Sequence, residues 1–172
     1  MSPPASGRRT RIVAALVMLP VAVLSVLYLP SNMLAAAVGL LMMVGLWEWS
    51  LLAGLSSPTW RAIYLAANAV ALAALAWVAG PGLAPIKVVA LLGVGWWVLV
   101  LLWLLRFDFA REDKPWTVAL KLFAGSAGVI PAWAAIYWLH HGAAGLGHAS
   151  AQGPTWTMFV LLVIWAADTG AY

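Results

Sequence analysis

Apolar residues run along this chain in six long blocks: Ile12–Leu29, Asn32–Ala53, Ala62–Ala79, Ile86–Leu105, Val118–Leu139 and Trp156–Tyr172. Each approaches the roughly 20 residues a helix needs to cross a hydrocarbon core about 30 Å thick. The breaks between them read as turns or short loops: Pro30-Ser31, Ser56-Ser57-Pro58, Gly80-Pro81-Gly82, the charged run Arg106–Lys114 and the polar Gly/His stretch His140–Gly153. The pattern predicts an all-α, polytopic integral membrane protein, with about six transmembrane helices in a single domain over residues 1–172. No internal repeat and no soluble domain interrupts it. Pro20 and Pro131 fall inside blocks, where each removes a backbone donor and is expected to bend its helix as a packing kink, a change that membrane neighbours tolerate.

Composition strengthens the membrane reading. The chain is 65% hydrophobic and only 8% charged, against roughly 25% charged in an ordinary soluble domain. Five acids and nine bases could not solvate the surface of such a core, whereas lipid tails solvate apolar side chains directly. There is no cysteine, which excludes disulfides and thiolate metal sites. The net charge of +4 comes from short basic clusters between apolar blocks, with no basic stripe, so no nucleic-acid partner is expected. Arg8, Arg9 and Arg11 would suit a signal peptide, but the apolar run after them is too long, and a retained first helix is expected.

The basic residues also predict orientation. With the N-terminus in the cytoplasm, Arg8, Arg9, Arg11, Arg61, Arg106, Arg111, Lys114 and Lys121 fall at the inner face, and only Lys87 falls outside. His140, His141 and His148 then lie on the outer side, where the sequence reads as a solvated interfacial pair and neighbour in preference to a metal site.

Ionisable groups at membrane depth are costly, by about 2.5–3.5 kcal/mol on insertion scales, so the two acids inside blocks are candidates for function. Glu48 lies about 24 Å along the second block and Asp168 about 18 Å along the sixth, at 1.5 Å per residue. Both blocks run from outside to inside, which puts both carboxylates in the cytoplasmic half. On a helical wheel centred on Asp168, Tyr172 falls at about 40°, Trp165 at about 60° and Thr169 at about 100°. Ala166, Ala167 and Gly170 form the other side, small enough for close packing. A plainer reading stands beside each acid: Glu48, between Trp47 and Trp49, could reach water from the interfacial belt, and Asp168 could cap a solvated helix end. Most tryptophans, Trp96-Trp97 included, read as lipid-facing or packing residues. No phosphate-binding loop, zinc-protease helix or nucleophile elbow occurs.

Several segments, in order, give the chain a resemblance to a known family. They are the basic start with Arg11–Pro20, Trp47-Glu48-Trp49 followed by Gly54, Gly95-Trp96-Trp97, Leu120–Gly125 with Ile130-Pro131 and Trp133, and Trp165–Tyr172. The last, W-A-A-D-T-G-A-Y, is the most specific. Together they resemble the N-terminal portion of bacterial phosphatidate cytidylyltransferase, or CDP-diacylglycerol synthase. The resemblance implies an enzyme that joins CTP to phosphatidic acid, releasing pyrophosphate, with Mg2+ required. It implies a bacterial inner membrane, membrane lipid around the chain and an active side facing the cytoplasm; a homo-oligomer is compatible with it. It carries Asp168 over as a metal and nucleotide ligand, with Thr169, Tyr172 and Glu48 in the same binding region. The family's C-terminal signature does not occur here, so the chain alone is expected not to catalyse, and no catalytic residue beyond these is assigned. Two other readings remain: a small ion- or proton-coupled transporter using Glu48 or Asp168 as a relay, and a non-catalytic membrane scaffold.

The orientation is directly testable. Cysteines introduced at Gly82 and Gly145 are expected to react with an impermeant reagent only from the outer side; labelling solely from the cytoplasm would invert the topology.

Overall fold

A computed structural model describes residues 5–105, 114–142 and 152–171, with side chains from Leu16 onward. The side chains of Arg8, Arg9 and Arg11, and residues Arg106, Arg111, His148 and Tyr172, lie outside the described residues. Among the described residues six helices follow one another: α1 (Ala5–Tyr28), α2 (Ser31–Leu52), α3 (Pro58–Val78), α4 (Ala84–Leu104), α5 (Pro115–His140) and α6 (Gly153–Gly170). No strand occurs among the described residues. The chain is an all-α polytopic membrane protein.

Proline and glycine set the boundaries. Helices α3, α4 and α6 carry Pro58, Pro85 and Pro154 in their opening positions, and α5 begins at Pro115. Proline is suited to this position because the N–H it lacks has no partner there and its φ is already helical. At the end of α2, Gly54 takes φ 98°; its N–H bonds to Leu51 O at 3.0 Å and that of Leu55 to Ser50 O at 2.9 Å. This is a left-handed glycine stop that satisfies two terminal carbonyls. The third helix starts four residues before the sequence pattern suggested, because Arg61 in its first turn is buried and hydrogen-bonded instead of being left in the loop. Helices α1 and α5 run through Pro20 and Pro131 without interruption.

Helices α2 to α5 are long and apolar enough to cross a membrane, and Leu16–Tyr28 of α1 is a shorter apolar stretch. Only 11–28% of the residues in the four long spans are buried within the protein. Leu91, Leu92, Val94, Leu99, Leu101 and Leu102 of α4 are all more than half exposed. Apolar area on that scale has no place on a water-facing monomer and suits contact with lipid.

The packing resolves into a central unit, residues 35–138, and a terminal unit made of residues 1–34 with 139–172. The central core gathers Ala35, Leu72, Ala79, Leu83, Ile86, Ala90, Trp133, Ala134 and Tyr137. Trp133, 4% exposed, donates its indole N–H to Ala35 O at 2.8 Å, so this large ring packs without leaving a buried donor orphaned. Gly93 of α4 makes room for α5: a Cβ there would collide with Pro131 Cβ and lie 3.3 Å from its Cγ.

In the terminal unit α1 packs along α6, and the expectation for the histidines is corrected. His140 is 3% exposed, with Nε2 2.8 Å from Val26 O and Nδ1 2.9 Å from Ser31 Oγ. Since a carbonyl only accepts, Nε2 carries a proton. Both ring nitrogens are thus used in holding the α1–α2 turn, which removes the reason for His140 to face water. His141 remains exposed, as expected. The α6 start closes on the C-terminal end of α5, with Gly153 so near His140 O that a Cβ would overlap it.

The Gly93 contact yields a prediction. Gly93→Ala should destabilise the chain by about 1–3 kcal/mol, the usual scale for overpacking against a group that cannot move aside. Gly95→Ala, which has nothing within 4 Å of its Cβ position, should be neutral or slightly stabilising. Thermal unfolding in detergent reads both; equal behaviour would discount the Pro131 contact.

Candidate functional site

The Trp47-Glu48-Trp49 segment lies in the last turns of α2, and its three side chains have separate fates. Arg61 of α3 stacks its guanidinium on the Trp47 ring, 3.8 Å from the centroid. Its Nη2 donates to Trp47 O at 2.7 Å and its Nε to Ser50 Oγ at 3.0 Å. Ser50 in turn donates to the same Trp47 carbonyl at 2.7 Å, so that oxygen is fully engaged. The cation is held by a π face, a hydroxyl and a carbonyl near a helix C-terminus, where positive charge is favoured. Glu48 takes no part: it is exposed and makes no hydrogen bond or ion pair with a described residue.

Trp49 reaches across to α5. Its indole N–H donates to Lys121 O at 2.8 Å, and its ring fills the space a Cβ on Gly125 would occupy. Beside it, Tyr64 donates to Leu122 O at 2.9 Å and receives a hydrogen bond from Ser126 at 3.1 Å. Asn68 donates to Tyr64 O at 2.9 Å, while its buried Oδ1 has no partner. Next to this polar cluster lies an apolar cavity of about 630 Å³ between α2, α4 and α5, whose lining includes Gly45, Trp49, Trp96, Lys121 and Gly128.

On α6, Asp168 and Thr169 are exposed, and Thr169 donates its hydroxyl back to Trp165 O at 2.7 Å. The lone pairs on the Thr169 oxygen stay available. Asp168 makes no hydrogen bond or ion pair with a described residue. The face expected to pack closely is not packed: Ala166, Ala167 and Gly170 are exposed, and nothing lies within 4 Å of a Cβ on Gly170. Small residues permit close approach but do not supply the partner. Tyr172 lies outside the described residues. Asp168 and Thr169 stand together on the terminal unit, whereas Glu48 belongs to the central one.

Magnesium takes near-octahedral oxygen ligands, usually one or two carboxylates with substrate phosphates and water. No group of three or more His, Asp or Glu side chains gathers among the described residues. Asp168, a hard and uncommitted carboxylate, fits as one ligand of such a set; it does not complete one.

The sequence had flagged Glu48, Asp168 and Thr169 but had used Arg61 only for orientation and had passed over Tyr64 and Ser126. The Tyr64–Ser126 bond joins residues 62 positions apart, beyond any local spacing. A basic residue just inside an apolar helix, one loop after a Trp-x-Trp, was the available signal for Arg61.

An all-helical membrane protein with an uncommitted carboxylate on α6 is the class defined so far. The chain belongs to the cytidylyltransferase family, whose model matches residues 9–172. It is 31% identical over 166 residues to the phosphatidate cytidylyltransferase of Pseudomonas aeruginosa, a match covering 95% of this chain and 56% of that protein. The chain therefore spans a little over half the length of this curated relative. No solved structure matches it.

Arg61→Leu should cost about 2–3 kcal/mol, because it removes hydrogen bonds made by a charged donor and leaves the Ser50–Trp47 pair short of a partner. Arg61→Lys should restore only part of that, since an ammonium cannot reproduce the planar fork. Glu48→Gln should leave stability unchanged. Denaturation in detergent checks all three, and a silent Arg61→Leu would refute the knot.

Proposed function

We propose that this chain forms part of a membrane-bound CTP:phosphatidate cytidylyltransferase, a nucleotidyltransferase of phospholipid biosynthesis. The observation that carries this is the family match over residues 9–172 together with 31% identity to a phosphatidate cytidylyltransferase. In the reaction a phosphate oxygen of phosphatidic acid attacks the α-phosphorus of CTP. The bond from that phosphorus to the oxygen bridging to the β-phosphate breaks, and pyrophosphate leaves with the electron pair. Membrane lipid supplies one substrate and the cytoplasm the other, in keeping with the inward bias of Lys and Arg and with a bacterial inner-membrane location.

Asp168 is the residue proposed to ligate Mg2+, with Thr169 and Tyr172 in the same nucleotide-binding region. Magnesium, when bound, supplies charge neutralisation on the phosphates. Asp168 contributes a fixed negative oxygen at the end of α6, where the peptide dipole adds no positive charge to compete for it. Glu48 is assigned a supporting role, because it is exposed near the end of α2 and can be solvated. The transporter and scaffold readings have no comparable support.

The test uses the full-length enzyme that contains these residues. Asp168→Asn keeps shape and deletes charge, and it should cut turnover at least about a hundredfold, the scale of lost electrostatic stabilisation in a transition state. Glu48→Gln should cost less, about tenfold. Near-normal turnover by Asp168→Asn at limiting magnesium would overturn the ligand assignment, and a larger loss with Glu48→Gln would reverse the two roles.

A further inference from the structure

The cavity of the central unit has no role in the ligand assignments above. Its walls come from α2, α4 and α5, and its lining is almost wholly apolar. At about 630 Å³ it falls within the roughly 300–1,000 Å³ of small-molecule sites. Lys121, half-buried, stands towards one end with Trp49, Trp103 and Leu104, and Ala132 stands towards the other. From Lys121 to Ala132 along α5 is about 16 Å at 1.5 Å per residue. That is close to half of a hydrocarbon core about 30 Å thick, which is the depth of one leaflet.

Glycine keeps the space open. A Cβ on Gly45 would meet nothing within 4 Å, and one on Gly128 would meet only Trp96 Nε1 at 4.0 Å. Neither position needs glycine for a turn, and glycine inside a helix costs about 1 kcal/mol relative to alanine. The groove is thus maintained at some expense to α2 and α5. A second basic residue, Lys114, immediately precedes α5, seven residues before Lys121. A phosphate monoester carries close to two negative charges at neutral pH, more than the single charge of a phosphodiester.

We propose that this groove seats an acyl chain of phosphatidic acid, with Lys121 at its cytoplasmic mouth reading the phosphate. The choice of this lipid rests on the proposed function; the acyl seat itself rests on the groove. On this proposal the lysine stem packs against the apolar wall and the ammonium meets the phosphate at the interface, as long basic side chains do. Phosphate selectivity comes from the lysines and depth selectivity from the length of the groove.

Photo-cross-linking tests this on the full-length enzyme that contains these residues, in phosphatidylcholine nanodiscs, with phosphatidic acid bearing a diazirine midway along one acyl chain. Adducts should concentrate on peptides containing Trp96–Val100 and Gly125–Ala132. Gly45→Leu, which places a good helix former in open space, should reduce them at least about fivefold, a change near 1 kcal/mol in binding. Gly128→Leu should act likewise, and circular dichroism with unchanged labelling of α3 would show both variants folded. Phosphatidylglycerol bearing the same chain should label at least about fivefold less, and Lys121→Gln should bring phosphatidic acid down to that level. Labelling spread evenly over the lipid-facing helices, or insensitive to both glycine variants, would overturn the groove. Equal labelling by the two lipids would overturn the assignment to phosphatidic acid. CTP turnover by the full-length enzyme is scored separately. Its absence with groove labelling intact strikes the proposed function alone, and its presence with groove labelling lost strikes the groove alone.

Discussion

Where α5 meets α2, the Trp49 indole occupies the volume that a Cβ on Gly125 would need, and its N–H reaches Lys121 O at 2.8 Å. Much of the central unit depends on that one close approach. It places α5 so that Leu122 O and Ser126 meet the Tyr64 hydroxyl of α3, and it sets one end of the apolar groove. A larger residue at 125 would separate the helices and strand several polar groups in a medium with no water to satisfy them. Gly93 and Pro131 repeat the device between α4 and α5, with a rigid ring in place of an indole.

The same constraint explains how polar side chains are housed. Arg61, Trp133 and His140 are all buried, and each directs donors at backbone carbonyls on other segments: Trp47 O, Ala35 O and Val26 O. A helix carbonyl can accept a side-chain donor beside its backbone bond, so it makes a ready partner that adds no second charge. Arg61 is thereby kept without an acid beside it. Glu48 and Asp168 are consequently not drawn into ion pairs with the described residues, and both stay available for other chemistry.

Availability differs from assembly. Asp168 presents one hard oxygen on an exposed helix end, with Thr169 next to it already returning its proton to the backbone. Magnesium bound to phosphates asks little more of a protein than one or two such carboxylates, which is consistent with a nucleotidyltransferase whose substrates bring most of the negative charge themselves. The groove proposed to seat an acyl chain addresses a separate requirement, since phosphatidic acid, the proposed lipid substrate, has to be held by its chain as well as by its phosphate.

The sequence by itself determined the membrane character, the all-α architecture, the identity of the uncommitted acids and the family, while α1 begins at Ala5, seven residues before the apolar block that marks it. These follow from properties local in the chain: apolar blocks of spanning length, prolines and glycines that start and stop helices, and short motifs read in order. Tertiary structure decided what each polar residue is for. It buried His140, which the sequence had placed in water, and it turned Arg61 from a marker of orientation into the centre of a hydrogen-bonded knot. It also left the small face of α6 uncovered, and it opened a groove beneath Gly45 and Gly128. The reason is physical: a side chain's role is fixed by the partner that meets it. Those partners lie from 11 to 114 residues away, at separations that only the packing of whole helices can close.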